Sequence, residues 1–307
     1  MTSLANRLMP AALALRGSRR VGAVATRREM AGRALRPRSF SPPRGLDRRV
    51  DIRLERSAAG WPVYSLAAHG ASRRDLDSVL YLHGGSYFRE ITRQHWQLVA
   101  AMARSLPVEV VVPIYPLAPV STADAVVPAA ADLAEVLIAE RGADRFCLLG
   151  DSAGGGMALA VAVALRERTL APPRRTVLIS PWLDITVSDP AISVLAPQDP
   201  WLCPDGLRVA GDAYRGALDP ADSRVSPIEA DLDDLGHVTV FTGTRDILNA
   251  DARRLRERMA LGNTGFEFHE EPGMLHVYPL LPTPEGRIAR RTLRAVIDPR
   301  AAVSSAR

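Results

Sequence analysis

The sequence predicts an α/β protein: a mostly parallel, doubly wound sheet with helices on both faces. Three observations carry this. Short, mostly apolar runs recur at 79–82, 108–114, 146–149, 177–179, 238–241 and 266–268, each too brief for a helix. Helix-length stretches lie between most of them, at 94–104, 123–141, 152–168 and 250–261. Runs apolar on every side belong to strands covered on both faces, and their alternation with helices is the signature of a parallel sheet. At 307 residues the chain is long enough to bury a full core.

The elements follow in order. Residues 1–45 read as a basic arm of one or two amphipathic helices, closed by the proline-rich joint at Pro37, Pro42 and Pro43. A solvated arm, part of a lid and a membrane-surface helix are all open readings for it. Residues 46–300 form the main domain, and 301–307 a tail. The segment 50–56 alternates polar and apolar, as a half-buried strand does, and 61–66 follows after Ala58-Ala59-Gly60; together they predict an antiparallel pair at one sheet edge. About 186–220 breaks the rhythm with Pro190, Pro197, Pro200 and Pro204, and reads as an insertion over the sheet, a lid candidate.

Charge is unevenly spread. Residues 1–50 hold twelve arginines against Glu29 and Asp47, a net of +10, so the remainder carries −5 of the total +5. There is no lysine in the chain, and Phe40 is the only aromatic residue of the arm. A basic stretch without interleaved aromatics argues against a nucleic-acid partner. Cys147 and Cys203 are too few for a disulfide framework. No apolar run reaches the roughly 18 residues of a membrane span. A cytoplasmic location is expected, with secretion or peripheral membrane attachment through the arm as alternatives.

The chemistry centres on Gly150-Asp151-Ser152-Ala153-Gly154, which fits G-x-S-x-G. An apolar strand precedes it and an apolar helix follows, the setting a strained nucleophile turn requires. Side chains at Gly150 or Gly154 should collide with neighbouring backbone. His83-Gly84-Gly85-Ser86-Tyr87 follows the strand at 79–82; its main-chain N–H groups, with that of Ala153, suit a developing oxyanion. Asp246 lies just past the strand at 238–241, where α/β sheets carry their sites, with Asp251 as its rival. His276 lies in a loop after the last strand and is the candidate base among the histidines. Serine, aspartate, histidine is the chain order of α/β-hydrolases.

Over roughly 78–280 the chain resembles the hormone-sensitive-lipase-like group of α/β-hydrolases. The matching residues are the 83–87 loop, Tyr115-Pro116-Leu117-Ala118-Pro119, Gly150 to Gly155, Ser180-Pro181-Trp182-Leu183-Asp184, Gly243 to Asp246, and His276. The resemblance implies a carboxylic ester hydrolase with Ser152 as nucleophile, His276 as base, Asp246 orienting the base, and a lid made of the arm and the insertion. Gly84, Gly85, Ser86 and Ala153 are the expected oxyanion donors. The 83–87 loop is similar to loops of acetyl-ester and lactone hydrolases. One residue departs from the pattern: Ser86 stands where the family has a third glycine, and is strained if its φ is positive. Asp151 and Asp184 match family positions and are read as structural.

The expected substrate is a small ester of short to medium acyl chain, with no cofactor and no metal. Tyr87 and Trp182 are candidate pocket walls, with Trp96 and Trp201 as further aromatics. A homodimer is left open. The competing readings are an amidase and a non-catalytic ligand-binding protein on a hydrolase shell, which would typically lack a triad member.

Overall fold

The computed structural model describes residues 2–15, 21–262 and 265–298; the 301–307 tail lies outside them. The arm forms two helices, α1 (Leu4–Leu15) and α2 (Ala23–Leu35). Strands β1 (Asp51–Arg56) and β2 (Pro62–Ala67) follow, then β3 (Asp77–Leu82), α3 (Arg93–Ser105), β4 (Val108–Pro113), α4 (Ala123–Arg141), β5 (Phe146–Asp151), α5 (Ala153–Glu167) and β6 (Arg175–Ile179). The insertion contributes α6 (Ala191–Leu195) and α7 (Pro204–Arg215), before β7 (His237–Gly243), α8 (Asn249–Met259), β8 (Gly265–Glu271) and α9 (Pro284–Ile297).

The eight strands form one sheet in the order β1-β2-β4-β3-β5-β6-β7-β8. The pairings of β2 with β1 and with β4 are antiparallel, and all others are parallel. The chain runs from β3 outward to β4, then crosses back to β5 on the other side of β3. That reversal opens a crevice at the carboxyl ends of β3 and β5, the place where open α/β sheets bind ligands. Register sets Leu82 beside Gly150 and Asp151 beside Ile179. The loops leaving β3 and β5 are therefore neighbours.

Alternation along each strand feeds two apolar layers. Leu80 and Leu82 join the layer with α4, α5 and α7, whereas Val79 and Tyr81 join the layer with α3 and α9. Helix α5 is almost wholly buried because it lies between the sheet and α4. Its glycines permit that closeness: a Cβ on Gly156 would overlap the Trp182 carbonyl.

One expectation needs correction. The first strand alternates in sequence, yet only Ile52 is partly covered and Leu54 is exposed, because β1 is the outermost strand with no layer over it. Helix α9 adds to the helical stretches read from the sequence; Thr283 caps it by accepting from the Gly286 N–H, with Pro284 in its first turn. Both cysteines are free thiols, Cys147 buried and Cys203 partly covered. Among the described residues no helix is long and apolar enough to cross a membrane.

Candidate active site

The turn between β5 and α5 holds Ser152 at φ 54° and ψ −122°, a region that L-residues avoid. It survives because the sheet grips it on both sides. The Ser152 N–H donates to the Ile179 carbonyl at 2.8 Å, and the Trp182 N–H donates to the Ser152 carbonyl at 2.9 Å. The turn is also too tight for side chains. A Cβ on Gly150 would strike the Gly154 carbonyl, and one on Gly154 would strike that of Leu82.

Ser152 Oγ lies 3.0 Å from His276 Nε2, and His276 Nδ1 lies 2.8 Å from Asp246 Oδ2. With Nδ1–H donating to the carboxylate, the Nε2 lone pair faces the serine hydroxyl. The other oxygen of Asp246 accepts the Leu248 N–H at 2.9 Å, which fixes the carboxylate plane. Asp246 is fully buried and His276 nearly so. Burial alone would lower the imidazole pKa; the Asp246 ion pair and hydrogen bond, with the charges of Asp199 and Asp151, outweigh it and raise the pKa above the ordinary 6.5. Val277, next to His276, sits at φ 47° and donates its N–H to Ser180 Oγ at 2.9 Å. A β-branched residue in that region marks strain held at a site. Asp251, the rival acid, lies elsewhere. It is buried, and burial followed by the charge of Asp184 raises its carboxyl to about 8.

The loop after β3 faces this triad. Its backbone turns through three consecutive positive φ values: 133° at Gly85, 53° at Ser86 and 61° at Tyr87. Gly85 tolerates this; Ser86 and Tyr87 do so at a cost of about 1–2 kcal/mol each. Four outside contacts hold the loop in place. The Gly84 N–H donates to Asp151 Oδ1 at 3.0 Å. The Tyr115 hydroxyl donates to the His83 carbonyl at 2.5 Å, and the Ala118 N–H to the Tyr87 carbonyl at 2.9 Å. Arg89, at the loop's end, donates Nε and Nη2 to Glu29 of α2 at 3.0 and 2.7 Å. Arg33 completes that clamp by bridging Glu29 and Glu90. Burial would raise the Glu29 pKa, but Arg89 and Arg33 together hold it down at about 2.

These contacts revise the expected donor set. The Gly84 N–H is occupied by Asp151 and is not free for an oxyanion. The N–H groups of Gly85, Ser86 and Ala153 have no acceptor among the described residues. Asp151 is a brace: it is buried and takes hydrogen bonds from Tyr81 and Gly84, with His95 Nε2 at 3.4 Å. Burial pushes its carboxyl upward, but His95, Tyr81 and Gly84 hold it below the ordinary value.

The aromatic expectations divide. Tyr87 and Trp182 are buried, Tyr87 stacking on Tyr214 at 3.6 Å, so both pack in the core. Trp96 is likewise buried. Trp201 of the 186–220 segment meets the His276 ring edge-on at 5.7 Å. Asp184 is structural, with Thr186 and Ser188 donating to it.

Sequence reasoning missed Asp199. This buried carboxylate of the 186–220 segment accepts the Trp201 and Leu202 N–H groups through Oδ1 and the Ile247 N–H through Oδ2 at 3.0 Å. It ties that segment to the residue after Asp246, and burial followed by the Asp246 charge raises its pKa. Asp-x-Trp in a proline-rich insertion was the available signal, an Asx-type turn. Among the described residues no cluster of three or more His, Cys, Asp or Glu side chains is placed to hold a metal.

A serine, histidine and aspartate chain at the carboxyl ends of a doubly wound sheet, opposite a loop of free N–H groups, defines the α/β-hydrolase class. Comparison with known proteins agrees. The family model described as the alpha/beta hydrolase fold matches residues 79–280. An acetyl-hydrolase of Streptomyces hygroscopicus is 33% identical over 71% of this chain and 74% of its own. An esterase of Acinetobacter venetianus is 28% identical over 64% of this chain and 65% of its own. A solved hormone-sensitive lipase from a metagenome library superposes with a TM-score of 0.83 at 28% identity, covering 98% of this chain and all of that one. The chain belongs to the α/β-hydrolase fold family, among its hormone-sensitive-lipase-like members, and is a hydrolase of esterase type.

Proposed function

We propose that the chain is a serine carboxylic ester hydrolase acting on small esters of short to medium acyl chain through an acyl-enzyme on Ser152. The observation that carries this reading is the hydrogen-bonded chain Asp246–His276–Ser152, with the N–H groups of Gly85, Ser86 and Ala153 free beside it. His276 Nε2 takes the Ser152 proton as Oγ attacks the ester carbonyl. The three N–H groups receive the oxyanion, Ala153 from the first turn of α5 where the helix dipole is positive. His276 then protonates the leaving alcohol, and a water molecule repeats the cycle on the acyl-enzyme. Asp246 holds the imidazole tautomer and the cation that forms on it.

Acetyl esters are the favoured substrates. The similarity to the Streptomyces acetyl-hydrolase supports this. Lactones share the same carbonyl chemistry and are the next class to assay. The test is hydrolysis of p-nitrophenyl esters from acetate to palmitate. Turnover should peak at the short chains and fall by about 10⁴-fold or more in Ser152→Ala. Near-normal turnover in that variant would end the proposal. No turnover at any length in folded protein would favour a binding protein on a hydrolase shell.

A further inference from the structure

We propose that the outer face of the N-terminal arm is a docking surface for anionic lipid membranes. Both arm helices are two-sided at the helical period. On α2 the inner side carries Thr26, Glu29, Met30 and Arg33: Thr26 is buried against α7, Met30 packs on the core, and the other two hold the loop after β3. The outer side carries Val24, Arg27, Arg28, Ala31 and Leu35, all exposed, Val24 at 80% and Leu35 at 83%.

Helix α1 repeats the pattern. Asn6 donates to the Gly273 carbonyl and Met9 packs on Leu275 and Leu281, while Leu4, Arg7, Leu8 and Ala11 face outward. Four of the ten most exposed large apolar side chains among the described residues thus fall within the first 35 positions. They are set among arginines, and Arg36 and Arg38 extend the charge into the joint.

A surface that offers isolated leucines and valines between guanidinium groups fits one medium best. Headgroup phosphates take the cations while the apolar side chains enter the acyl boundary, and each basic residue near an anionic surface strengthens binding. Phe40, half-buried, leaves no aromatic platform for nucleic-acid bases. The inner side of α2 is already used by the enzyme, so the outer side can bind without dismantling the site.

Co-sedimentation of the full chain with vesicles tests this. It should bind vesicles of phosphatidylglycerol and phosphatidylcholine and not phosphatidylcholine alone. The pair Arg27→Gln and Arg28→Gln should weaken binding about thirtyfold, at about fivefold per arginine. The pair Val24→Ser and Leu35→Ser should weaken it about tenfold at the same salt. Both pairs should hydrolyse a soluble p-nitrophenyl ester as the parent does, which reports that they fold. Three results would overturn the proposal: no binding to the anionic vesicles, binding unmoved by the serine pair, or tighter retention on duplex DNA than on the vesicles.

Discussion

The turn after β5 and the loop after β3 lie side by side, and both bend the backbone into positive φ, yet they are held by different means. The turn confines its strain to Ser152 and is braced by main-chain bonds to Ile179 and Trp182, with glycines where neighbours press closest. The loop spreads positive φ over Gly85, Ser86 and Tyr87 and relies on Asp151, Tyr115, the Ala118 N–H and the Arg89–Glu29 clamp. The turn's brace is the backbone of β6 and of the residues just beyond it, whereas the loop depends mostly on side chains, and the Arg89–Glu29 pair ties it to α2, 60 residues away in the chain. Ser152 is thus built into the sheet, while the loop facing it is held from outside.

Substitutions probe the two sides of that contrast. On the triad side, Asp246→Asn should lower kcat about 10⁴-fold while leaving the fold intact, because the amide disfavours the tautomer that presents Nε2 to Ser152. On the loop side, Gly85→Ala should lower kcat about 10²–10³-fold: φ of 133° is closed to alanine, and its Cβ would sit 2.5 Å from the Arg89 carbonyl oxygen, displacing the donors. An Asp246→Asn loss no larger than that of Gly85→Ala would break the contrast.

Which of these features the sequence disclosed follows the same division. The strand–turn–helix at Ser152 was legible because its requirements are local: an apolar strand, glycines and an apolar helix. The strands were legible because burial on both faces leaves continuous apolar runs. Asp246 and His276 could be located by following strand ends. The occupied Gly84 N–H was not legible, since its acceptor lies 67 positions away. Nor were the packing of Tyr87 against Trp182 and against Tyr214 of α7, and the role of Asp199, whose partner Ile247 is 48 positions on. Long-range side-chain contacts leave no period in a sequence.

Smaller effects sharpen the account. The pKa of His276 is raised above 6.5, and the reaction needs the neutral imidazole, so kcat/KM should decline tenfold per pH unit below that pKa, with an acid limb above pH 6.5. Asp199→Asn removes a negative charge that favours the imidazolium and should move that limb to lower pH. A limb unmoved in the pH–rate profile would show that Asp199 only anchors the 186–220 segment to Ile247. Ser86→Gly relieves a left-handed serine and should raise stability by up to about 1 kcal/mol in thermal denaturation. Because the proposed donor is the main-chain N–H, kcat should stay within about threefold. A larger loss would assign the Ser86 hydroxyl to the substrate.

A covalent acyl intermediate on Ser152 underlies the whole proposed cycle, and mass spectrometry of protein quenched during p-nitrophenyl acetate turnover would detect it. An acetyl group should appear on the peptide bearing Ser152 with the first burst of nitrophenol, and be absent in Ser152→Ala. An acetyl group on another residue at burst stoichiometry, or a burst that persists in Ser152→Ala, would contradict it.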